Sequence, residues 1–412
     1  MSYGEVEENV MTRWLYRYEA KKIQDYVLGT SRLKEIAGAS ALVEQLGDEF
    51  KGALTKAGVT DAKVITCAAG QATVIFANEA SLRRLASVWP MYCARTRPGL
   101  PVIQGWVAFP EGEPDAKGYA ELMRALFAKL DADRMRPRAS LPEVGPLVAR
   151  AGRSGLAAVE YATKDRALCD EAMRAKLREA RETHEDFRER LLEETPFAGR
   201  RFAHGGDDDR SFDEGYVAIV HADGNNIGKR FQETPFKNQE KLSKGLGEAT
   251  REAVKRALRH VSAQPRRHAA WNAAGALLPF RPVVLGGDDV TVMLRADDAL
   301  PFTYEFLRAF QEETASGLKG LLTGAFKDGL TASAGVAMVK SAFPYHAAYD
   351  LAEELCQHAK SEAKRHACTP EGHPTGGSTT RGARSCRPGG TPPSTRGADD
   401  PTSNARCSPP GA

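Results

Sequence analysis

Two kinds of apolar spacing alternate along this chain, and their order occurs twice. Trp14 to Glu19 reads as a short strand, followed by helical spacing over Ile23 to Thr30 and over Arg32 to Lys56, where Ile36, Ala39, Leu42, Val43 and Leu46 share a stripe. Ala62 to Cys67, a turn at Ala69-Gly70, and Thr73 to Phe76 predict a hairpin. A helix over Glu79 to Arg95, a strand over Val102 to Phe109 and a helix over Asp115 to Asp133 complete the set. From Tyr216 the order returns. A strand runs to Asp223, a helix spans about Gln239 to Ser262, and strands Phe280 to Leu285 and Val290 to Arg295 form a second hairpin. Helix Leu300 to Lys319, strand Leu330 to Val339 and helix Tyr345 to Lys364 close it.

The pattern predicts an α+β chain in which one ferredoxin-like β-α-β-β-α-β unit occurs twice, the two copies forming a pseudo-dimer. The expected boundaries are residues 1–133 for the first unit, 134–213 for a charged helical linker, 214–366 for the second unit and 367–412 for a tail. Within the linker, Lys164 to Glu194 is dense in Arg and Glu with a narrow apolar stripe, as in a solvated connector. After Ala367 there is no Val, Ile, Leu, Met, Phe, Tyr or Trp, so the tail cannot bury enough apolar surface to offset its ordering entropy and is expected to be disordered. The break in composition after Cys368 also has the look of out-of-frame translation of a GC-rich gene.

Composition narrows the function classes. At 412 residues with 42% hydrophobic residues the chain can hold two sizeable cores, and no apolar run approaches the ~18 residues a membrane span needs. The acidic start (Glu5, Glu7, Glu8) is unlike a signal peptide, which predicts a cytoplasmic protein without membrane partners. Seven cysteines lack any C-x-x-C pair, so neither a zinc site nor a disulfide framework is expected. A net charge of +3 does not by itself call for nucleic acid, and Arg266, Arg267 and His268 read as a solvated loop.

The candidate chemistry lies in the second copy. In Pro282 to Leu294, two β-branched runs flank Gly286-Gly287-Asp288-Asp289, a tight turn carrying adjacent carboxylates. Like charges at about 4 Å repel by roughly 4 kcal/mol at an effective dielectric of ~20, so a counter-charge is expected, most simply a divalent metal. Upstream, an apolar strand ends in Asp223, followed by a Gly224-Asn225-Asn226-Ile227-Gly228 loop with free backbone amides. With the strands side by side, Asp223, Asp288 and Asp289 would hold the Mg2+ or Mn2+ of a nucleoside triphosphate, with the loop and Gly286-Gly287 against its phosphates. Lys360 and Lys364, four apart on the last helix, are either solvated or a cationic clamp on that triphosphate. In the first copy Gln71 and Ala72 are expected where the second has its aspartates. The run Gly205-Gly206-Asp207-Asp208-Asp209 lacks flanking strands and reads as linker.

These residues resemble the palm, or nucleotidyl-cyclase, domains of the large subunit of type III CRISPR effector complexes, and more distantly the GGDEF diguanylate cyclases. Asp223 to Gly228, Leu285 to Asp289 and Ala359-Lys360 carry the resemblance, with Lys22 to Tyr26 and Gly38 to Ser40 similar to the start of that subunit's first, inactive palm. The resemblance implies that Asp223, Asp288 and Asp289 bind catalytic metals, that Lys360 neutralises phosphate charge, and that ATP is joined into cyclic oligoadenylate. It implies effector subunits and guide or target RNA as partners. The family often has an acid where this chain has Asn225. Its histidine-aspartate nuclease has no counterpart here, and His184-Glu185-Asp186 sits in a charged stretch. Two other readings remain: a non-catalytic nucleotide- or RNA-binding scaffold subunit, and a diguanylate cyclase, disfavoured because the hairpin ends in Asp-Asp rather than Glu-Phe.

Overall fold

The computed structural model describes residues 13–30, 32–68, 70–136, 145–162, 167–182, 191–193, 195–202, 215–263 and 277–367. The first lobe runs β1 (Arg13–Ala20), α1 (Ile23–Leu28), α2 (Leu33–Glu44), α3 (Leu46–Lys56), β2 (Ala62–Ala68), β3 (Gln71–Phe76), α4 (Glu79–Thr96), β4 (Val102–Phe109) and α5 (Ala116–Arg134). Its antiparallel sheet has the order β2-β3-β1-β4. After a short ribbon, β5 (Glu160–Ala162) with β6 (Ala167–Cys169), and α6 (Glu171–Glu182), the second lobe begins. It runs β7 (Tyr216–Gly224), α7 (Ile227–Glu233), α8 (Gln239–Ser262), β8 (Phe280–Gly286), β9 (Asp289–Arg295), α9 (Ala296–Gly317), β10 (Ala332–Lys340) and α10 (Tyr345–Ala367). The second sheet, β10-β7-β9-β8, is also antiparallel and has the same strand order as the first when strands are counted within each lobe.

Each strand of the second sheet divides its residues between two cores. Ala218, Val220, Ala222, Val290, Val292 and Leu294 face α8 and α9, where Phe302, Phe306 and Phe310 follow one another with ring centroids 6.3 and 6.0 Å apart. Each buried phenylalanine contributes about 2–3 kcal/mol of transfer free energy. The alternate residues, Val217, Ile219, Met293 and Ala337, share a core with α10 and with first-lobe residues such as Ile36, Ala39 and Val43 of α2. The period-2 alternation of a sheet thus buries one face within the lobe and the other between lobes.

Contacts between the lobes are reciprocal. Helix α1 packs on α10 while α7 packs on α5, and α2 meets β8 while α8 meets β2. Ser40 on α2 donates to the Val283 carbonyl at 2.6 Å. On the opposite side Phe236 of the second lobe lies against Phe109 and Tyr119 of the first, with ring centroids 5.4 and 5.2 Å away.

The stretch between the lobes differs from the expected solvated helix. Ala167–Cys169 is a strand, and the helix starts only at Glu171, because Asp170 accepts the Met173 amide at 2.9 Å and caps it. Helix α6 also lies tightly on α2: a β-carbon on Gly38 would stand 1.8 Å from the Lys176 carbonyl oxygen. Met173, Ala175, Leu177 and Ala180 are buried there, so the narrow stripe is a packing face. Residues 183–190, 203–214 and 264–276 and the tail from 368 lie outside the described residues, and with them His184-Glu185-Asp186, Gly205 to Asp209, and Arg266 to His268. No described helix is long and apolar enough to cross a membrane.

Candidate functional site

Strand β7 is central and its Val217 to Ala222 segment is buried, so the chain emerges from the core at Asp223. Beside it β8 and β9 meet in a two-residue turn, since Gly286 pairs with Asp289 and leaves Gly287-Asp288 at the tip. Gly287 has φ +62° and Asp288 does not share that sign, the requirement of a type II′ turn with glycine first. The turn is held from below, where the buried Thr250 of α8 donates to the Gly287 carbonyl at 2.5 Å. Replacing Thr250 by valine leaves that carbonyl unpaired and is expected to cost about 1–2 kcal/mol, whereas serine retains the bond. Urea unfolding of the two variants checks this.

Hairpin tip and strand end approach closely. A β-carbon on Gly224 would lie 2.9 Å from Asp288 Oδ2 and 2.5 Å from Ile227 Cγ1, so only glycine lets the Asp288 carboxylate sit against β7. Burial and then the neighbouring Asp223 carboxylate push Asp288 up to about 7. Asp289, one residue on, points toward the first lobe, where its Oδ2 accepts from Gln24 Nε2 at 3.1 Å. Its Oδ1 is buried without a hydrogen-bond partner, 3.5 Å from His221 Nδ1. Burial, followed by the charges of Asp223 and Asp288, raises Asp289 to about 8. His221 is held neutral by burial; its Nδ1 lies 3.1 Å from Thr291 Oγ1 and its ring is edge-on to Tyr349.

Lys360 supplies a counter-charge that is already in place. Its Nζ contacts Asp223 Oδ2 and lies 3.4 Å from the Gly224 carbonyl, while Lys364, one turn further along α10, is exposed. Helix α10 can bring Lys360 there because it rests directly on β10, with Cys356 Sγ 3.2 Å from the Ser333 carbonyl.

The loop after Asp223 is more structural than the sequence suggested. Asn225 donates through Nδ2 to Thr331 Oγ1 at 3.1 Å and accepts from Ser333 at 3.0 Å, so its amide pins the loop to β10. Ile227 is buried in the second core, which removes its side chain from any phosphate. Asn226, in the left-handed region at φ 59°, precedes the unforeseen short helix α7, and Asn226 and Gly228 are exposed.

The register also corrects the first copy. Ala68 pairs with Gln71, as Gly286 pairs with Asp289, so Gly70 and Gln71, rather than Gln71 and Ala72, occupy the aspartate positions. Glu19 opposite Gln71 takes the place of Asp223, and it is bound by Arg17 at 2.7 Å and by Lys21. A one-residue offset in a hairpin is invisible without the pairing, because the loop length sets the register.

Whether a divalent cation suits the second-lobe site turns on its donors. All are hard oxygens, two carboxyls are raised by burial and then by the charge of Asp223, and Asp289 Oδ1 is orphaned, which fits Mg2+ or Mn2+ in chemistry. As the side chains stand, no three His, Cys, Asp or Glu residues among those described are set around a common point. Lys360 instead holds Asp223, and Gln24 holds Asp289. Sequence reasoning missed Gln24, Thr250 and His221, none of which belongs to an acidic or glycine motif.

No curated protein matches the chain. Among solved structures, the apo Csm1–Csm4 cassette matches over 88% of this chain and 55% of its own, at 15% identity and a TM-score of 0.57. The Csm1–Csm4 cassettes in complex with cA4 and with AMPPNP match at 16% identity and a TM-score of 0.56, each over 85% of this chain and 53% of theirs. This chain therefore spans about half the length of those it resembles, and the likeness is one of fold. The model of the Cas10/Cmr2 second palm domain matches residues 216–369, which bears out the resemblance read from the acidic motifs. Over those residues, the chain is similar to the second palm domain of the Cas10/Cmr2 family.

Proposed function

We propose that this chain is a metal-dependent nucleotidyltransferase that joins ATP into cyclic oligoadenylate-type second messengers in CRISPR-type antiviral defence. The observation that carries the reading is the cluster at the open end of β7: Asp223 under Lys360, Asp288 against Gly224, and Asp289 with an unpartnered oxygen. The structural neighbours lend support, as several Csm1–Csm4 cassettes are complexes with one ATP, with pppApA or with cA4. Residues 1–133 and 214–366 form the two halves of a pseudo-dimer in this reading, only the second of which keeps the acidic hairpin, and 134–213 link them. The reciprocal packing of α1 on α10 and α7 on α5 supports it, as a two-fold arrangement makes each contact twice.

Asp223, Asp288 and Asp289 are the residues that would hold a divalent cation, which when bound supplies Lewis-acid activation of a ribose 3′-hydroxyl and of the α-phosphate it attacks. The chain's own residues do the rest. Gly286 and Gly287 let a triphosphate approach the backbone, the exposed Asn226 and Gly228 face the same end of β7, and Asn225 keeps that loop rigid. Lys360 brings a fixed positive charge to the side of Asp223 where phosphate charge would accumulate. Lys364, exposed one turn on, is the second cation of that helix in this reading. No protein nucleophile is required, and no zinc. The partners that follow are a nucleoside triphosphate, effector subunits and guide or target RNA, in the cytoplasm.

A non-catalytic nucleotide- or RNA-binding scaffold is the second reading, favoured by the ion pair through which Lys360 already neutralises Asp223. Mass spectrometry of products after incubation with each nucleoside triphosphate and Mg2+ or Mn2+ separates the two. Oligoadenylate with release of pyrophosphate is expected. Binding without turnover of any triphosphate, alone or with effector subunits and target RNA, leaves the scaffold.

A further inference from the structure

The geometry points to Gln24, in the first lobe, as a positioning residue for Asp289 in the second, so that the carboxylate site is finished only where the lobes pack together. This rests on the reading of that site given above.

Gln24 Nε2 reaches Asp289 Oδ2 at 3.1 Å across a sequence separation of 265 residues. Among the described residues this is the hydrogen bond that the Asp289 carboxylate receives from a side chain, as Oδ1 has none. A primary amide is the appropriate donor for such a task. It fixes Oδ2 without adding positive charge, and it leaves Oδ1 free of a hydrogen bond. A lysine there would instead form an ion pair and compete with the metal.

The internal repeat provides a control. Lys22 and Asn226 both adopt the left-handed conformation, three residues after Glu19 and Asp223, and each immediately precedes a short helix, α1 and α7. The residue that corresponds to Gln24 is therefore Gly228, which has no side chain and around which a β-carbon would meet nothing within 4 Å. The residue that corresponds to Asp289 is Gln71, which is held by Arg17 of its own lobe. The bond between lobes thus occurs on the side that carries the carboxylate, and its mirror position has neither donor nor acid. Gln24 is also well anchored for the role: Ile23 beside it packs beneath Gly70, and α1 rests on α10, the helix that delivers Lys360.

The test is made on the full chain, in two parts that fail separately. In urea unfolding in the presence of EDTA, Gln24→Ala and Asp289→Ala are combined singly and together. The midpoint shifts are expected to be non-additive for this pair and additive for Gln24→Ala with Asp223→Ala. Additive shifts for Gln24 and Asp289 overturn the assignment whether or not the protein turns over any substrate. In pyrophosphate release from ATP, Gln24→Ala and the volume-matched Gln24→Met are both expected to lower kcat about tenfold with little change in KM, as loss of a bond that orients a reacting group does. A Gln24→Met variant with wild-type kcat would assign the residue to packing and overturn the proposal. A wild-type protein without turnover would instead remove the catalytic reading and leave the stability cycle to decide on Gln24.

Discussion

Replacing Asp288 and Asp289 together by asparagine is expected to lower nucleotide turnover by on the order of 10³-fold and, at the same time, to make the protein more stable above neutral pH. The loss of activity follows from removing two of three anionic oxygen donors. The gain in stability follows from the same charges. Both carboxyls titrate higher in the fold, at about 7 and about 8, than they would in an unfolded chain. A group raised in this way lends the fold its stability below the unfolded value, and that contribution is lost as pH rises through the folded one. Between pH 4 and about 8 the wild-type protein is therefore expected to lose stability, and the asparagine variant is not. The Asp289 side chain keeps 31% of its exposure, which screens part of the cost, so about 2 kcal/mol at pH 8 is the expected difference. Urea midpoints measured in EDTA at pH 5 and pH 8 check the sign. Added Mn2+ should then stabilise the wild type, by mass action on the folded state, and leave the variant where it is. A variant no more stable than the wild type at pH 8 would mean that Lys360 already satisfies the cluster.

The second large effect is at a position with no chemistry of its own. Gly335 lies on β10 under α10, where a β-carbon would stand 1.9 Å from the Ala352 carbonyl oxygen and 2.6 Å from the Cys356 amide nitrogen. These are backbone atoms of the helix and cannot turn aside. Gly335→Ala must lift α10 from the sheet, which is expected to cost about 3 kcal/mol, at the upper end for overpacking. Lys360 lies one turn beyond Cys356 on the same helix, so the displacement also carries its ammonium away from Asp223. Turnover should fall further than the unfolded fraction explains. Comparing kcat of Gly335→Ala at a temperature where it is fully folded with that of Lys360→Ala tests the link. If Gly335→Ala folds with wild-type kcat, α10 is not what sets the lysine.

The sequence alone determined the elements and the acidic motifs. Period-2 and helical spacing located β1 to β4, β7 to β10 and the long helices between them, since burial on one face leaves a regular trace in the chain. It also indicated two like units, with the acidic hairpin in only one, because Gly286-Gly287-Asp288-Asp289 is a local pattern whose turn chemistry can be read from four residues. What tertiary structure decided is everything that depends on two distant segments meeting. The true register of Gly70 and Gln71, the ion pair of Lys360 with Asp223, the use of Asn225 as a strut and of Ile227 as core, and the support from Thr250 all arise from contacts between separate elements. Gln24 is the extreme case. An amide on a short helix carries no signal of its own, and its place beside Asp289 exists only because two sheets bury their remaining apolar faces against a shared set of helices.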